Sequence, residues 1–189
     1  MTKYILHGGE TSRPAEDNKK FFFEMTKDLS DPVTILCVYF ARPKVTWDKL
    51  LEQDKERFSS ASPTKILNFI RAENDAKIFK EQIQKADVVY MRGGETEMLF
   101  KALKLIENFD PLIKGKVVSG SSAGACALSA YFHTGTDGSK VREGLGILQI
   151  KTFVHYAEEK LSDLKELENR GEKLPVYKIP EEKFFVIEQ

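Results

Sequence analysis

The segment that decides the fold is KVVSGSSAGA, residues 116–125. It begins as an apolar strand, continues as Gly-x-Ser-x-Gly and ends in small residues suited to the first turn of a helix. This pattern is typical of a nucleophile elbow, a tight turn that exposes a serine hydroxyl, here that of Ser122. Gly120 and Gly124 remove side chains that would collide where the chain doubles back. A glycine-rich turn with an N-capping serine gives the same five-residue pattern, so neighbouring motifs must decide between the two.

Length and composition describe an ordinary water-soluble chain. The 189 residues suit a single domain, 1–189, and 41% apolar with 31% charged residues predicts a globular protein. Lys plus Arg and Asp plus Glu each number 29, so a nucleic-acid partner is not expected. No apolar run is long enough to span a bilayer, and the first residues enter a strand without a secretion signal. We therefore expect a cytoplasmic protein with no membrane partner, whose two cysteines are reduced.

Strand-like and helix-like segments alternate along the chain, which predicts a mostly parallel sheet with helices on both faces. The fold class expected is a single-domain three-layer α/β/α sandwich. The predicted strands are residues 4–6, 33–40, 65–71, 87–91, 116–119, 152–155 and 184–187. The predicted helices are residues 15–28, 47–58, 75–85, 97–107, 122–131 and 157–170.

Three segments follow strands and should meet at one rim of the sheet, where α/β proteins bind ligands. Two of them share the sequence Gly-Gly-Glu-Thr, at residues 8–11 and 93–96, and the third is the elbow. Paired glycines let backbone N–H groups approach a ligand, although plain turn chemistry explains such pairs equally well. Neither segment matches a phosphate-binding loop, and the histidines and cysteines lack metal-ligand spacing. The sequence therefore predicts no cofactor and no metal.

A serine nucleophile needs a base and a group that orients the base. His155 follows the apolar stretch 150–154, where a strand would deliver it to the same rim. His133 is the competitor, but a helix starting at Ser122 would carry it about 15 Å away. Asp137 is the candidate orienting carboxylate, with an Asp-Gly turn as the alternative interpretation and Glu158 as another candidate.

These motifs resemble the peptidase E family of serine peptidases, which includes aspartyl dipeptidase and cyanophycinase. The resemblance is carried by residues 93–96, the elbow 120–125, Asp137 and the segment Phe-Val-His-Tyr at 153–156, which occur in the family's order. It extends from the first strand to about residue 187. The family is similar in fold to class I glutamine amidotransferases, with serine in place of cysteine at the elbow.

The resemblance implies roles for individual residues. Ser122 would be the nucleophile, His155 the general base and Asp137 the third member of the catalytic set. Gly94 and Ala123 would donate backbone N–H groups to an oxyanion hole. The remaining substrate-binding candidates are Gly93, Glu95, Thr96 and Lys160.

Two departures from the family pattern affect the expected substrate. An acidic residue, Glu95, replaces the family's asparagine, and the arginine that reads a substrate aspartate has no clear match. Lys160 is the nearest cation by position, but lysine lacks the planar fork suited to a carboxylate. The sequence thus predicts a serine peptidase for short peptides, with N-terminal Asp dipeptides as one candidate class, acting as a monomer or homodimer. The alternatives are a non-catalytic ligand-binding member of the fold and a serine esterase or amidase.

Overall fold

The computed structural model of the protein describes residues 1–136 and 138–189. Within these ranges the strands are β1 (Lys3–His7), β2 (Val33–Val38), β3 (Leu67–Arg71), β4 (Val88–Met91), β5 (Val117–Ser121), β6 (Ser129–His133), β7 (Arg142–Glu143), β8 (Leu148–Val154), β9 (Val176–Ile179) and β10 (Phe184–Glu188). Six of them form the central sheet, in the order β10-β1-β5-β4-β2-β3. All neighbours in this sheet are parallel except β10, which runs antiparallel to β1.

Helices follow most strands of the central sheet. They are α1 (Glu16–Glu24), α2 (Trp47–Ala61), α3 (Ala76–Lys85), α4 (Thr96–Leu103), α5 (Phe109–Ile113), α6 (Ala123–Leu128) and α7 (Leu161–Asn169). Because crossovers between parallel strands are right-handed, this strand order puts α1 and α2 on one face of the sheet and α3 and α4 on the other. In the described part of the chain, none of these helices is long and apolar enough to cross a membrane. The observed elements confirm the predicted α/β class with its mostly parallel sheet.

A second sheet, in the order β7-β6-β8-β9, was not predicted. The helix predicted over residues 122–131 ends at Leu128, and the chain continues directly into β6. Ser129 explains the break, because its hydroxyl bonds the Cys126 carbonyl and the Thr152 hydroxyl, both at 2.9 Å. Phe132 then pairs with Thr152 of β8 and is fully buried. The apolar residues of 129–133 therefore serve a strand, although they also fit a helix.

An aromatic cluster fixes α1 and α2 to the sheet. The ring centroid of Phe22 lies 4.9 Å from that of Phe58 and 5.8 Å from that of Tyr90. Phe58 and Tyr90 complete the triangle at 5.7 Å. Edge-to-face geometry of this kind adds to the stabilisation gained from burying the rings.

We expect Phe22→Ala to lower the free energy of unfolding by about 3–5 kcal/mol, because it leaves a cavity within the aromatic cluster. The matched control is Phe23→Ala, one residue along the same helix, where the side chain is 45% exposed. The control should change stability by less than about 1 kcal/mol. Urea unfolding of both variants measures the difference, and equal losses would contradict the packing described above.

Candidate active site

Ser122 occupies a strained turn between β5 and α6. Its backbone has φ +48° and ψ −104°, a conformation that residues other than glycine rarely adopt. A Cβ on Gly120 would lie 2.3 Å from the backbone carbon of Gly124. A Cβ on Gly124 would in turn lie 2.6 Å from the Met91 carbonyl oxygen. The two glycines thus let β4, β5 and α6 meet closely enough to form the elbow.

The elbow is attached to the neighbouring strand as well as to its own helix. The Ser122 N–H donates to the carbonyl of His7, the last residue of β1, at 2.8 Å. The Ser122 carbonyl accepts from the Cys126 N–H at 3.0 Å. This double attachment holds the serine at the rim where β1, β4 and β5 end.

His155 follows β8, a strand of the second sheet, and lies next to the serine. Its Nε2 is 2.9 Å from the Ser122 Oγ. The backbone N–H of His155 donates to the Gly8 carbonyl at 3.0 Å. A Cβ on Gly9 would lie only 2.1 Å from the imidazole Cε1. The first Gly-Gly segment therefore packs against the imidazole and fixes its position beside the serine.

Glu181 contacts the other side of the imidazole, and sequence reasoning missed it. Its Oε1 lies 3.1 Å from the His155 Nδ1, and its Oε2 lies 2.8 Å from an Arg13 guanidinium nitrogen. Glu181 precedes β10, and because β10 is antiparallel to β1 its first residue lies opposite His7 at the rim. Two glutamates, separated by one lysine from the last predicted strand, were the available signal, but only an antiparallel strand direction brings them to this rim.

The other residues weighed as partners lie elsewhere or outside the described ranges. Asp137, the sequence's candidate third member, lies outside the residues that the structure describes. Glu158 is exposed and makes no described contact with His155. His133 is buried on β6, where its Nδ1 accepts from the Gly135 N–H at 3.1 Å and its Nε2 lies 3.0 Å from the Ser139 hydroxyl.

The backbone N–H groups of Gly94 and Ala123 lie at the site beside Ser122. Among the described residues, neither the Gly94 N–H nor the Ala123 N–H donates a hydrogen bond. Ala123 is the first residue of α6, so its N–H belongs to the unpaired first turn of a helix. Such donors are available to a developing negative charge on a substrate.

Two cavities meet at Ser122 and His155. The first has a volume of ≈ 290 Å³ and is lined by residues that include Glu10, Arg42 and Gly93. The second, of ≈ 490 Å³, is lined by residues that include Thr96 and Arg142. Ser122 and His155 line both cavities, so a bound molecule that extends from one cavity into the other lies next to the serine.

The remaining predicted binding residues differ in how they face these cavities. Glu95 is exposed and lines both of them, next to Gly94. Lys160 lines neither, and its ammonium donates to the Gly135 carbonyl. Two arginines, Arg42 and Arg92, line the first cavity. Arg42 lies next to Gly94, and the sequence did not single it out.

A buried charge network supports the second Gly-Gly segment. The Arg92 guanidinium lies 3.2 Å from the Asp54 carboxylate, which also pairs with Arg57 at 2.8 Å and accepts from the Tyr39 hydroxyl at 3.0 Å. Burial raises the pKa of Asp54, and the two guanidinium groups oppose that shift. Arg92 is thus held in place and partly neutralised where it precedes Gly93.

His7 supports the first Gly-Gly segment as a neutral imidazole. Its Nδ1 accepts from the Gly9 N–H at 3.0 Å, and its Nε2 lies 2.9 Å from the Asn18 Oδ1. Burial is the main cause that lowers the pKa of His7 to about 4, and the nearby His155 adds to the shift. A neutral His7 leaves Nδ1 free to accept, which keeps the Gly8-Gly9 turn beneath the His155 ring.

An α/β fold in which a serine at a nucleophile elbow is hydrogen-bonded to a histidine is typical of serine hydrolases. The profile of peptidase family S51 matches residues 5–189. The chain belongs to peptidase family S51, and its class is therefore serine peptidase.

Solved structures agree on the fold. A crystal structure assigned to peptidase E from Listeria monocytogenes EGD-e is 20% identical, with a TM-score of 0.68 over 99% of this chain and 94% of that one. A peptidase from an acI-B1 actinobacterium is 21% identical, with a TM-score of 0.63 over 98% of this chain and 83% of that one. Among curated proteins, no significant sequence match is found. The family match thus establishes the class, and the two solved structures support the fold.

We expect acid to destabilise the protein partly through His7. Because its pKa is lower in the folded state, unfolding binds a proton between pH 6.5 and about 4, and stability falls as pH falls through that window. The contribution lost is up to about 3 kcal/mol. Urea unfolding across pH 4–7 should give a shallower acid slope for His7→Gln than for the wild type, and parallel curves would contradict this assignment.

Proposed function

We propose that the protein hydrolyses short peptides through a Ser122–His155–Glu181 catalytic set. The observation that carries this proposal is the 2.9 Å contact between the Ser122 Oγ and the His155 Nε2. The carboxylate of Glu181, 3.1 Å from Nδ1, would accept the Nδ1–H and leave Nε2 free to take the serine proton. Asp137, the third member implied by the family resemblance, is the competing carboxylate.

The chemistry follows in two steps. Ser122 Oγ attacks the scissile carbonyl carbon while its proton moves to His155 Nε2. The negative oxygen is bound by the N–H groups of Gly94 and Ala123, and His155 then protonates the leaving nitrogen as the C–N bond breaks. Water attacks the resulting ester with His155 again as base, which releases the acid and restores the serine.

The substrate class is supported by the shape and charge of the site. Two cavities that meet at the serine suit a short extended peptide, with one part of the chain on each side of the scissile bond. Glu95, exposed between them, would attract a cationic group and repel an acidic one. This charge counts against a strict requirement for an N-terminal aspartate, which a panel of Asp-Xaa and other dipeptides tests directly.

We expect Ser122→Ala to abolish labelling by a fluorophosphonate probe and to reduce dipeptide hydrolysis at least about 10³-fold, because the nucleophile is lost. The dipeptide panel, together with a matched set of esters, provides the rates. Ser59→Ala, an exposed serine on α2, is the control and should keep full activity. Unchanged labelling or turnover in Ser122→Ala would remove Ser122 from the mechanism, whereas turnover of esters alone would identify an esterase.

We expect Glu181→Gln to lower kcat about 10²- to 10⁴-fold with little change in KM, since Glu181 acts on the imidazole rather than on bound substrate. Glu182→Gln is the matched control one residue away; its carboxylate pairs with Arg13 at 3.2 Å and does not contact His155. Steady-state kinetics of both variants, run with Asp137→Asn, separates the two carboxylate candidates. A large loss in Asp137→Asn with normal activity in Glu181→Gln would assign the role to Asp137.

A further inference from the structure

Arg42 lies directly across the Gly93-Gly94 segment. Its Nε donates a 2.6 Å hydrogen bond to the Gly93 carbonyl. A Cβ added to Gly94 would lie 2.7 Å from that Nε and 2.9 Å from the Arg42 Cδ, so the side chain rests on the glycine backbone. The contact involves the peptide unit that joins Gly93 to Gly94, which carries the candidate oxyanion donor.

The geometry of a trans peptide links this contact to that donor. Among the described residues, the cis peptide bond is Asp31–Pro32, so Gly93–Gly94 is trans. In a trans peptide the C=O and the following N–H point in opposite directions. A guanidinium that fixes the Gly93 carbonyl therefore also fixes the direction of the Gly94 N–H, away from Arg42.

Backbone contacts on either side also hold this segment, since a Cβ on Gly93 would lie 2.9 Å from the Ser121 carbonyl oxygen and one on Gly94 2.2 Å from the Ala41 carbonyl oxygen. The next residue, Glu95, is anchored by its backbone N–H, which donates to the Ala41 carbonyl at 2.8 Å. The Gly94 N–H has no acceptor within the described ranges. Two successive glycines allow the intervening peptide to rotate more easily than bulkier residues would, so the hydrogen bond from Arg42 to the Gly93 carbonyl stabilises the observed orientation.

Arg42 is itself well placed for this role. Its backbone is held by two hydrogen bonds: the backbone N–H donates to the Tyr39 carbonyl at 2.8 Å, and the backbone carbonyl accepts from the Trp47 Nε1–H at 2.9 Å. Within the ranges that the structure describes, no carboxylate pairs with its guanidinium. The positive charge therefore acts on the Gly93 carbonyl, where it polarises the peptide and strengthens the Gly94 N–H as a donor.

We propose that Arg42 is a positioning residue for the oxyanion hole, acting through the Gly93–Gly94 peptide. The inference rests on the proposed function, because it requires the Gly94 N–H to bind the tetrahedral oxyanion. The competing role is direct binding of a substrate carboxylate by the Arg42 guanidinium in the first cavity. The two roles differ in how they depend on substrate charge.

The experiment compares Arg42→Ala, Arg42→Gln and Arg42→Lys on a dipeptide and on the uncharged ester p-nitrophenyl acetate. We expect kcat for both substrates to fall about 10- to 100-fold in Arg42→Ala and Arg42→Gln, a part of what loss of a whole oxyanion donor costs. The KM for the dipeptide should change less than twofold. Arg42→Lys should recover part of the rate, because an ammonium can still donate to the Gly93 carbonyl.

A peptide aldehyde gives a second measurement, because its adduct with Ser122 carries the oxyanion. Its affinity should fall by the same factor as kcat, whereas the affinity of a non-covalent dipeptide product should not change. Arg170→Ala is the control, since this arginine is exposed and pairs with Glu143. Circular dichroism verifies that each variant is folded, and the Gln and Lys variants preserve the test if Arg42→Ala does not fold.

Each outcome decides the proposal. An unchanged ester rate with a raised KM for the dipeptide would make Arg42 a carboxylate-binding residue, and unchanged kinetics on both substrates would leave it without a role. Either result would overturn the inference while the proposed function stands. Absence of Ser122-dependent turnover in the wild type would instead overturn the proposed function, and this inference with it.

Discussion

The close contact of three backbones at the elbow is the constraint on which the site depends. Gly120 meets Gly124, and Gly124 meets the Met91 carbonyl, at distances that no Cβ could occupy. This contact lets Ser122 adopt its positive φ and lets its N–H reach β1. The second Gly-Gly segment follows β4 and the first follows β1, so both depend on the same approach of strands. Ser122 and the two Gly-Gly segments are thus placed together by packing at the centre of the sheet.

Much of this could be predicted from the sequence, because the decisive signals are local. The elbow lies within ten residues, and the apolar strands that precede it and the Gly-Gly segments are continuous runs. Parallel strands end at one rim of a sheet, which places the two Gly-Gly segments beside Ser122. His155 follows β8 of the second sheet, so this rule does not account for its position beside the serine. In the structure the His155 Nε2 lies 2.9 Å from the Ser122 Oγ.

The missed features depend on pairing between distant segments. Glu181 reaches His155 only because β10 is antiparallel to β1, and strand direction leaves no trace in the hydrophobic pattern. Residues 129–133 fit a helix as well as a strand, and the choice follows from pairing with β8, about twenty residues later. Arg42 was overlooked for a related reason, since its partner is the carbonyl of Gly93, fifty-one residues away.

The position of Glu181 also bears on when the protein becomes active during its synthesis. Ser122 and His155 leave the ribosome before residues 181–188 do. β10 can pair with β1 only after the whole of β10 has also emerged. Under the proposed mechanism, a nascent chain has a nucleophile and a base but lacks the carboxylate that orients the base. Hydrolytic activity would then require residues 181–188 to have emerged and β10 to have paired with β1.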